Sequence, residues 1–187
     1  MDYAFIFDFD GVLVDSNEAQ FVCCKKTLEE INVPIDKEEF YRLSGKTGKE
    51  MLLHFCKKVK KDVDIELLHK RKYEFYKEYQ NLIRPIDCNV QLFKNLKKQK
   101  IPIAIASGSS RPSILPVATK YDLKPNVFVS SEDIKRGKPN PDLFLKAAEL
   151  LNVSPEKCIV IEDTESGIQA ARAAGMRSFR FFNIQEE

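Results

Sequence analysis

The most constraining feature of this sequence is a series of short apolar runs, each of which ends in polar residues. These runs lack the alternation of a strand that faces water on one side, so they are typical of strands covered on both faces. The stretches between them have helical spacing. Strands that alternate with helices predict an α/β fold with a Rossmann-like parallel sheet and right-handed crossovers. We predict strands at residues 3–9, 101–107, 127–131, 158–163 and 177–182, and helices at 90–96, 114–121, 141–151 and 166–174.

Residues 16–83 are different, because this block has helical spacing throughout and no strand-like run. Asp15 or Ser16 is placed to cap the first helix of the block. Two further helix starts are indicated by the spacing of capping boxes at residues 36–39 and 47–50. We therefore predict an all-helical cap domain at 16–83, inserted into a core domain made of residues 1–15 and 84–187.

Composition limits the classes of function. The chain has 187 residues, of which 43% are hydrophobic and 31% are charged, as in an ordinary globular protein. A net charge of +2, without lysines interleaved with aromatics, gives no reason to expect a nucleic-acid partner. No apolar run is long enough to span a membrane, and no signal peptide is recognisable. Five cysteines without a C-x-x-C spacing indicate reduced thiols, so we expect a cytoplasmic protein. We also expect a monomer.

Polar side chains gather where the predicted strands end. Because ligands of parallel sheets bind beyond the carboxyl ends of the strands, these side chains should meet in one site. Taken singly, each is as well explained by a helix cap, a turn or a solvated charge. Together they supply carboxylates, a hydroxyl and an ammonium group at one sheet edge. They are Asp8, Asp10, Ser107, Glu162 and Asp163 at strand ends, and Lys138 in the loop RGKPNPD.

The opening acidic pair has a physical interpretation of its own. Asp8 and Asp10 are two residues apart on an extended chain, so their side chains should point the same way. Gly11 then allows a sharp turn and the close approach of a ligand. Clustered carboxylates are costly to bury unless a cation offsets their charge, and Mg²⁺ suits a set of oxygen ligands. The sequence therefore predicts a magnesium site here.

Two other motifs fail on spacing. An EF-hand that began at Asp8 would need glycine at Leu13 and glutamate at Ala19. The Gly-Lys-Thr at residues 45–47 resembles the end of a phosphate-binding loop, but the earlier glycine is replaced by Phe40 and the stretch follows a helix. Neither motif is therefore a credible site.

Four motifs taken together resemble those of a known family. DFDGVLVDS, ASGS, GKPNPD and IEDTESGIQAARAAGM follow one another in the order and spacing of the haloacid dehalogenase superfamily. The inserted helical block resembles the cap of its phosphatase and beta-phosphoglucomutase-like branch. The resemblance covers essentially the whole chain. It implies a HAD-like α/β core with an inserted helical cap.

The resemblance also implies roles for the strand-end residues. Asp8 would be the nucleophile that forms an aspartyl phosphate, and Asp10 would be the general acid and base. The phosphoryl oxygens would be held by Ser107, Gly108 and Lys138. The Mg²⁺ ligands would be Asp8, the main-chain carbonyl of Asp10, Glu162 and Asp163.

The reaction is predicted from smaller differences. A dehalogenase of this family lacks the second aspartate, which is present as Asp10, and nothing in the sequence identifies the cap lysine of a phosphonatase. A beta-phosphoglucomutase has histidine at the position of Gln20 and arginine at the position that aligns with Lys49. We therefore expect a Mg²⁺-dependent phosphatase that acts on a small phosphorylated metabolite of the sugar-phosphate type. The alternatives are a beta-phosphoglucomutase-type phosphomutase and a catalytically idle binding module.

Substrate recognition is expected in the cap. The loop at residues 44–49 joins two cap helices, and its glycines and lysines suit close contact with a charged or hydroxylated group. The alternative for this loop is an ordinary exposed turn. The candidate recognition residues are Gln20, Gly45, Lys46, Thr47 and Lys49.

Overall fold

Residues 3–43 and 46–181, which the computed structural model of this chain describes, form seven strands and eight helices. The strands are β1 (Ala4–Phe7), β2 (Val14–Asp15), β3 (Arg84–Pro85), β4 (Ile103–Ala106), β5 (Val127–Val129), β6 (Cys158–Glu162) and β7 (Arg177–Arg180). The helices are α1 (Asn17–Glu29), α2 (Lys37–Arg42), α3 (Gly48–Lys58), α4 (Ile65–Tyr79), α5 (Asp87–Lys98), α6 (Arg111–Lys120), α7 (Asp142–Leu151) and α8 (Glu165–Ala173). Short 3₁₀ turns occupy Gln80–Leu82, Ser131–Asp133 and Pro155–Lys157.

Five strands form one parallel sheet in the order β5-β4-β1-β6-β7. Strand β1 lies at the centre, where Phe7 is opposite Ile105 of β4 and Ile161 of β6. The strands that carry the predicted site residues are therefore adjacent. This architecture confirms the predicted Rossmann-like α/β fold.

Both faces of the sheet are covered, as the lack of alternation in the strands predicts. On one face Phe7 and Ile105 pack in a cluster that includes Phe93 of α5. On the other face Ile6 and Val160 join a second cluster with side chains from α7 and α8. The sheet is thus buried between helices on both faces.

Several element boundaries differ by a few residues from the prediction, and the first strand and α6 are two examples. The first strand ends at Phe7 instead of Phe9, because the chain turns there and the N–H of Val14 donates to the carbonyl of Phe9. Helix α6 begins at Arg111 and contains Pro116. Pro116 has no N–H, so it cannot donate the usual helical hydrogen bond to the carbonyl of Pro112, four residues earlier. The hydroxyl of Tyr73 donates to that carbonyl instead.

The first four helices form a layer with a hydrophobic cluster of their own, and we call α1–α4 the cap. The predicted capping boxes are present in part or in full: Asp36 accepts from the N–H of Glu39, and Thr47 forms the complete reciprocal box with Glu50. The cluster that holds the cap together contains Phe21, Cys24, Leu28, Val33, Phe40, Met51, Leu52, Phe55, Cys56 and Leu68.

The cap joins the sheet through the antiparallel pair of β2 and β3, which we call the connecting ribbon. Val14 pairs with Pro85, and Asp15 pairs with Arg84. The chain enters and leaves the cap at this one place, close to the predicted boundaries. The exact division into core and cap domains stays a prediction.

Within the described parts of the chain, none of the helices combines the length and the apolar character that a bilayer crossing requires.

Candidate active site

Asp8 and Lys138 form a buried ion pair at the carboxyl edge of the sheet. Asp8 directly follows β1 and is 5% exposed, and its Oδ1 lies 3.0 Å from Lys138 Nζ. Lys138 also donates to Glu162. Burial acts to lower the pKa of Lys138, but the charges of Asp8 and Glu162 outweigh burial and raise it. Lys138 therefore stays a cation beside Asp8.

Glu162 is held in place from both sides. Its Oε1 accepts from Lys138, and its Oε2 accepts from the backbone N–H of Thr164 at 2.5 Å and from the Thr164 hydroxyl at 2.9 Å. Gly167 leaves room for this carboxylate, since a Cβ there would lie 1.8 Å from Glu162 Oε1. Both oxygens of Glu162 are thus engaged by protein donors.

Asp163 occupies space that a second glycine provides. Gly11 has a φ of +82°, and a Cβ at this position would lie 2.1 Å from Asp163 Oδ2. Burial, reinforced by the charge of Glu162, raises the pKa of Asp163 to about 7. Burial also raises the pKa of Asp8, although Lys138 opposes that shift. Lys138 brings one positive charge to a group of three carboxylates, Asp8, Glu162 and Asp163, so it cannot neutralise all of them.

The acidic group fits a hard divalent cation. Asp8, Glu162 and Asp163 each offer an oxygen, and these oxygens lie within 4.8 Å of one another. Among the described residues, Asp8 Oδ1 and Asp163 Oδ1 are the fully buried side-chain atoms that lack a hydrogen bond. Asp163 Oδ1 has no donor beside it and Asp8 Oδ1 has only its ion pair with Lys138, so both oxygens can bind Mg²⁺. The side chain of Asp10 lies outside this group, and its main-chain carbonyl, which is the predicted ligand, stays a prediction.

Asp10 is surrounded by hydroxyl groups. Its Oδ1 accepts from Ser16 Oγ at 2.5 Å, and its Oδ2 accepts from Ser109 Oγ at 2.7 Å and from Ser107 Oγ at 3.2 Å. Ser107 in turn accepts from the backbone N–H of Ser109 at 3.0 Å. A hydroxyl has one proton, so Ser107 must release Asp10 before it can donate to another group.

A cleft of about 910 Å³ lies between the sheet edge and the cap. A Cβ on Gly108 would meet no atom within 4 Å, so this backbone segment is open to the cleft. Glu162 does not line the cleft, but it holds Lys138, which does. Gly45 lies outside the described residues. The predicted site residues that line the cleft are Asp8, Asp10, Ser107, Gly108, Lys138 and Asp163 from the core, and Gln20, Lys46, Thr47 and Lys49 from the cap.

Among the described residues on the cap side of the cleft, one cation is buried. Lys72 is 8% exposed, and its Nζ donates to Gln20 Oε1 at 2.6 Å. Lys49 is instead paired with Glu66 at 2.7 Å on the exposed surface. The Thr47 hydroxyl accepts from the N–H of Glu50. Lys72 is thus the cap cation most removed from water.

Sequence reasoning did not identify Ser16, Ser109 or Lys72 as site residues. For Lys72 a signal was available, because it lies on the buried face of α4, one turn from both Leu68 and Tyr76. A lysine in the middle of an apolar stripe needs a partner or a ligand. The hydroxyls of Ser16 and Ser109 carry no such signal, since serines are common at helix caps and in turns.

The fold and the acidic edge define a Rossmann-like α/β protein with its site beneath a helical cap. The model of the family described as haloacid dehalogenase-like hydrolase matches residues 5–181. The chain belongs to this family.

Two curated proteins and one solved structure illustrate the similarity. The chain is 36% identical to beta-phosphoglucomutase of Bacillus subtilis, over 92% of this chain and 80% of that protein. It is 30% identical to the phosphorylated carbohydrates phosphatase of Thermotoga maritima, over 92% and 82%. The crystal structure of CbbY from Rhodobacter sphaeroides in complex with phosphate is 26% identical and superimposes with a TM-score of 0.86, covering 100% of this chain and 90% of that one.

Proposed function

We propose that this protein is a Mg²⁺-dependent phosphatase that hydrolyses a small phosphorylated metabolite through an aspartyl phosphate on Asp8. The observation that carries the proposal is the buried Asp8, whose Oδ1 lies 3.0 Å from the ammonium of Lys138 where both side chains line the cleft. The family membership and the Thermotoga maritima relative, whose name states a phosphatase of phosphorylated carbohydrates, support the same conclusion.

In the first step an oxygen of Asp8 attacks phosphorus, while Asp10 carries a proton. The bond from Asp8 to phosphorus forms, the bond from phosphorus to the ester oxygen breaks, and Asp10 gives its proton to that oxygen. Lys138 reduces the repulsion between the carboxylate and the phosphate dianion. A cation held by Asp8, Asp163 and Glu162 would supply further positive charge at the phosphoryl oxygens.

In the second step Asp10 takes a proton from water, and that water attacks the phosphorus of the aspartyl phosphate. The bond from Asp8 to phosphorus breaks, and inorganic phosphate leaves. Splitting one difficult hydrolysis into two steps is the advantage of a covalent intermediate. Ser107, which donates to Asp10 in this structure, would turn its hydroxyl toward a phosphoryl oxygen when substrate binds.

The cap favours a small polar monophosphate. Its buried Lys72 and the amide of Gln20 can bind hydroxyl groups, and their mutual hydrogen bond fixes both. Lys49, which also lines the cleft, is held by Glu66 in an exposed and therefore weak ion pair. The contacts of Lys72 and Gln20 suit the organic part of a sugar phosphate.

A phosphomutase is the second candidate, and the 36% identity to the Bacillus subtilis beta-phosphoglucomutase favours it. A mutase must return the phosphoryl group to a second hydroxyl, whereas a phosphatase uses water. With beta-glucose 1-phosphate as substrate, release of inorganic phosphate supports the phosphatase, and formation of glucose 6-phosphate supports the mutase.

The test is a panel of hexose, pentose and nucleotide phosphates and p-nitrophenyl phosphate, assayed with Mg²⁺ and with a chelator. We expect Mg²⁺-dependent release of phosphate, an acid-stable label on the wild type from ³²P-substrate, and none on Asp8→Asn. Asp10→Asn should stay folded and nearly lose turnover. Well-folded protein that neither releases phosphate from any compound nor forms glucose 6-phosphate would favour the idle binding module.

A further inference from the structure

Tyr76 is a buried side chain that the proposed mechanism does not use. It lies in α4, is 2% exposed and lines the cleft. Its hydroxyl has no hydrogen-bond partner within residues 3–43 and 46–181. The fully buried unpartnered atoms in that part of the chain are Asp8 Oδ1 and Asp163 Oδ1. The Tyr76 hydroxyl is therefore not sealed in the core, and it reaches the cleft.

The surroundings of Tyr76 fix both its position and its protonation. The ring packs in the hydrophobic cluster that also contains Phe9, Leu13 and Ile83. Burial raises the pKa of Tyr76, and the negative charge of Asp10 adds to the shift. The phenol thus stays protonated and can donate a hydrogen bond into the cleft, which Asp10 also lines.

Asp10 does not need this donor. Its two oxygens already accept from the hydroxyls of Ser16, Ser107 and Ser109. The Tyr76 hydroxyl has no acceptor in the described parts of the chain and opens to the cleft, so a ligand bound there can supply the acceptor. Lys72, one helical turn earlier on the same buried face of α4, also faces the cleft.

We propose that Tyr76 contacts the substrate, and that its hydroxyl donates a hydrogen bond to the ester oxygen that Asp10 protonates. The inference rests on the proposed phosphatase function and adds a residue of the cap to the chemical step. As the ester bond to phosphorus breaks, negative charge grows on that oxygen, and a fixed donor stabilises it. The contribution should be large for an alkyl phosphate, whose leaving group is strongly basic, and small for an aryl phosphate.

The experiment compares Tyr76→Phe with the wild type on two substrates. One is the best sugar phosphate of the panel, and the other is p-nitrophenyl phosphate, whose leaving group needs little help from a donor. We expect kcat/KM for the sugar phosphate to fall by about 10-fold to 100-fold and kcat/KM for p-nitrophenyl phosphate to change by less than about threefold. The ratio of the two values does not depend on how much of the variant is folded.

Tyr79→Phe is the matched control, because Tyr79 lies in the same helix, packs against the same cluster and is not part of the cleft lining. It should leave both values unchanged. Equal losses on both substrates, or no loss on either, would overturn the role of Tyr76 while the phosphatase function stands. A wild type without Mg²⁺-dependent activity on any phosphate would overturn the phosphatase function and this inference together.

Discussion

Ser16 Oγ donates a hydrogen bond of 2.5 Å to Asp10 Oδ1. Ser16 is the residue that precedes the first turn of α1, and its side chain makes no capping hydrogen bond to that helix. The contact therefore joins the start of the cap to the proposed acid and base of the core. A movement of the cap about the connecting ribbon would change the position or the freedom of Asp10.

Replacing Ser16 tests this link. Ser16→Ala should lower kcat/KM by about 3-fold to 30-fold, because Asp10 loses one of its three hydroxyl donors. Ser16→Thr keeps the hydroxyl and should restore most of the activity. Because Ser16 does not cap α1 with its side chain, the melting temperature should hardly change. Exposed Ser154 provides the control variant Ser154→Ala, and a large loss of stability in Ser16→Ala without loss of activity would contradict the role.

Replacing Gly11 tests whether the Asp163 side chain fills the space beside this glycine. Gly11→Ala should lower the free energy of unfolding by more than about 2 kcal/mol, because it combines a positive φ with a clash against Asp163. Gly175 also has a positive φ but no atom within 4 Å of the added Cβ, so Gly175→Ala should cost about 1 kcal/mol. Equal losses in urea unfolding would show that Asp163 does not fill the space beside Gly11. Mg²⁺ affinity should fall only in Gly11→Ala.

The acidic group predicts how pH affects the metal-free protein. Burial and Glu162 raise the pKa of Asp163 to about 7, whereas an unfolded aspartate has a pKa near about 3.9. Between these values the native state binds more protons than the unfolded state. The free energy of unfolding should therefore fall as pH rises through this window, by up to roughly 4 kcal/mol.

The measurement is thermal unfolding in a chelator at about pH 5.5 and about pH 7.5, with and without Mg²⁺. The metal-free protein should melt at a higher temperature at the lower pH, and Mg²⁺ should stabilise it more at the higher pH, where its ligands are deprotonated. Asp163→Asn should weaken both effects. A metal-free wild type whose stability rises over this pH window would contradict the assignment.

Replacing Lys72 should have a separate effect, on substrate binding. Lys72→Met keeps the aliphatic part of the buried side chain and removes the ammonium group, so the variant should stay folded. KM for the best sugar phosphate should rise by about 10-fold, because a cation that faces the cleft is lost. Lys57→Met, on the exposed end of α3, is the control. An unchanged KM in Lys72→Met would mean that the lysine serves only to order Gln20.

The parts of the structure that follow from local signals were predictable. The adjacent strand ends at Asp8, Ser107 and Glu162 follow from apolar runs with polar ends, because parallel strands bring those ends together. The helix starts at Asp36 and Thr47 follow from side chains that bond the nearby backbone.

The parts that depend on distant contacts were not predictable. The first strand was expected to reach Phe9, but the turn that ends it closes with a hydrogen bond from Val14. The roles of Ser16 and Tyr76 arise only when the cap lies over the sheet edge. A single sequence contains no periodic or spacing signal for such a contact. The domain boundaries, the monomeric state and the cytoplasmic location stay predictions.

The connecting ribbon has a consequence for how such proteins diversify. The chain leaves the sheet layer after Val14 and returns at Pro85, and these two residues are paired neighbours. An entire block of helices could be excised and another spliced in at this junction without lengthening the path between the flanking strands. The cap, and with it substrate selectivity, can thus be exchanged between such proteins while the residues at the sheet edge that act on phosphorus are kept.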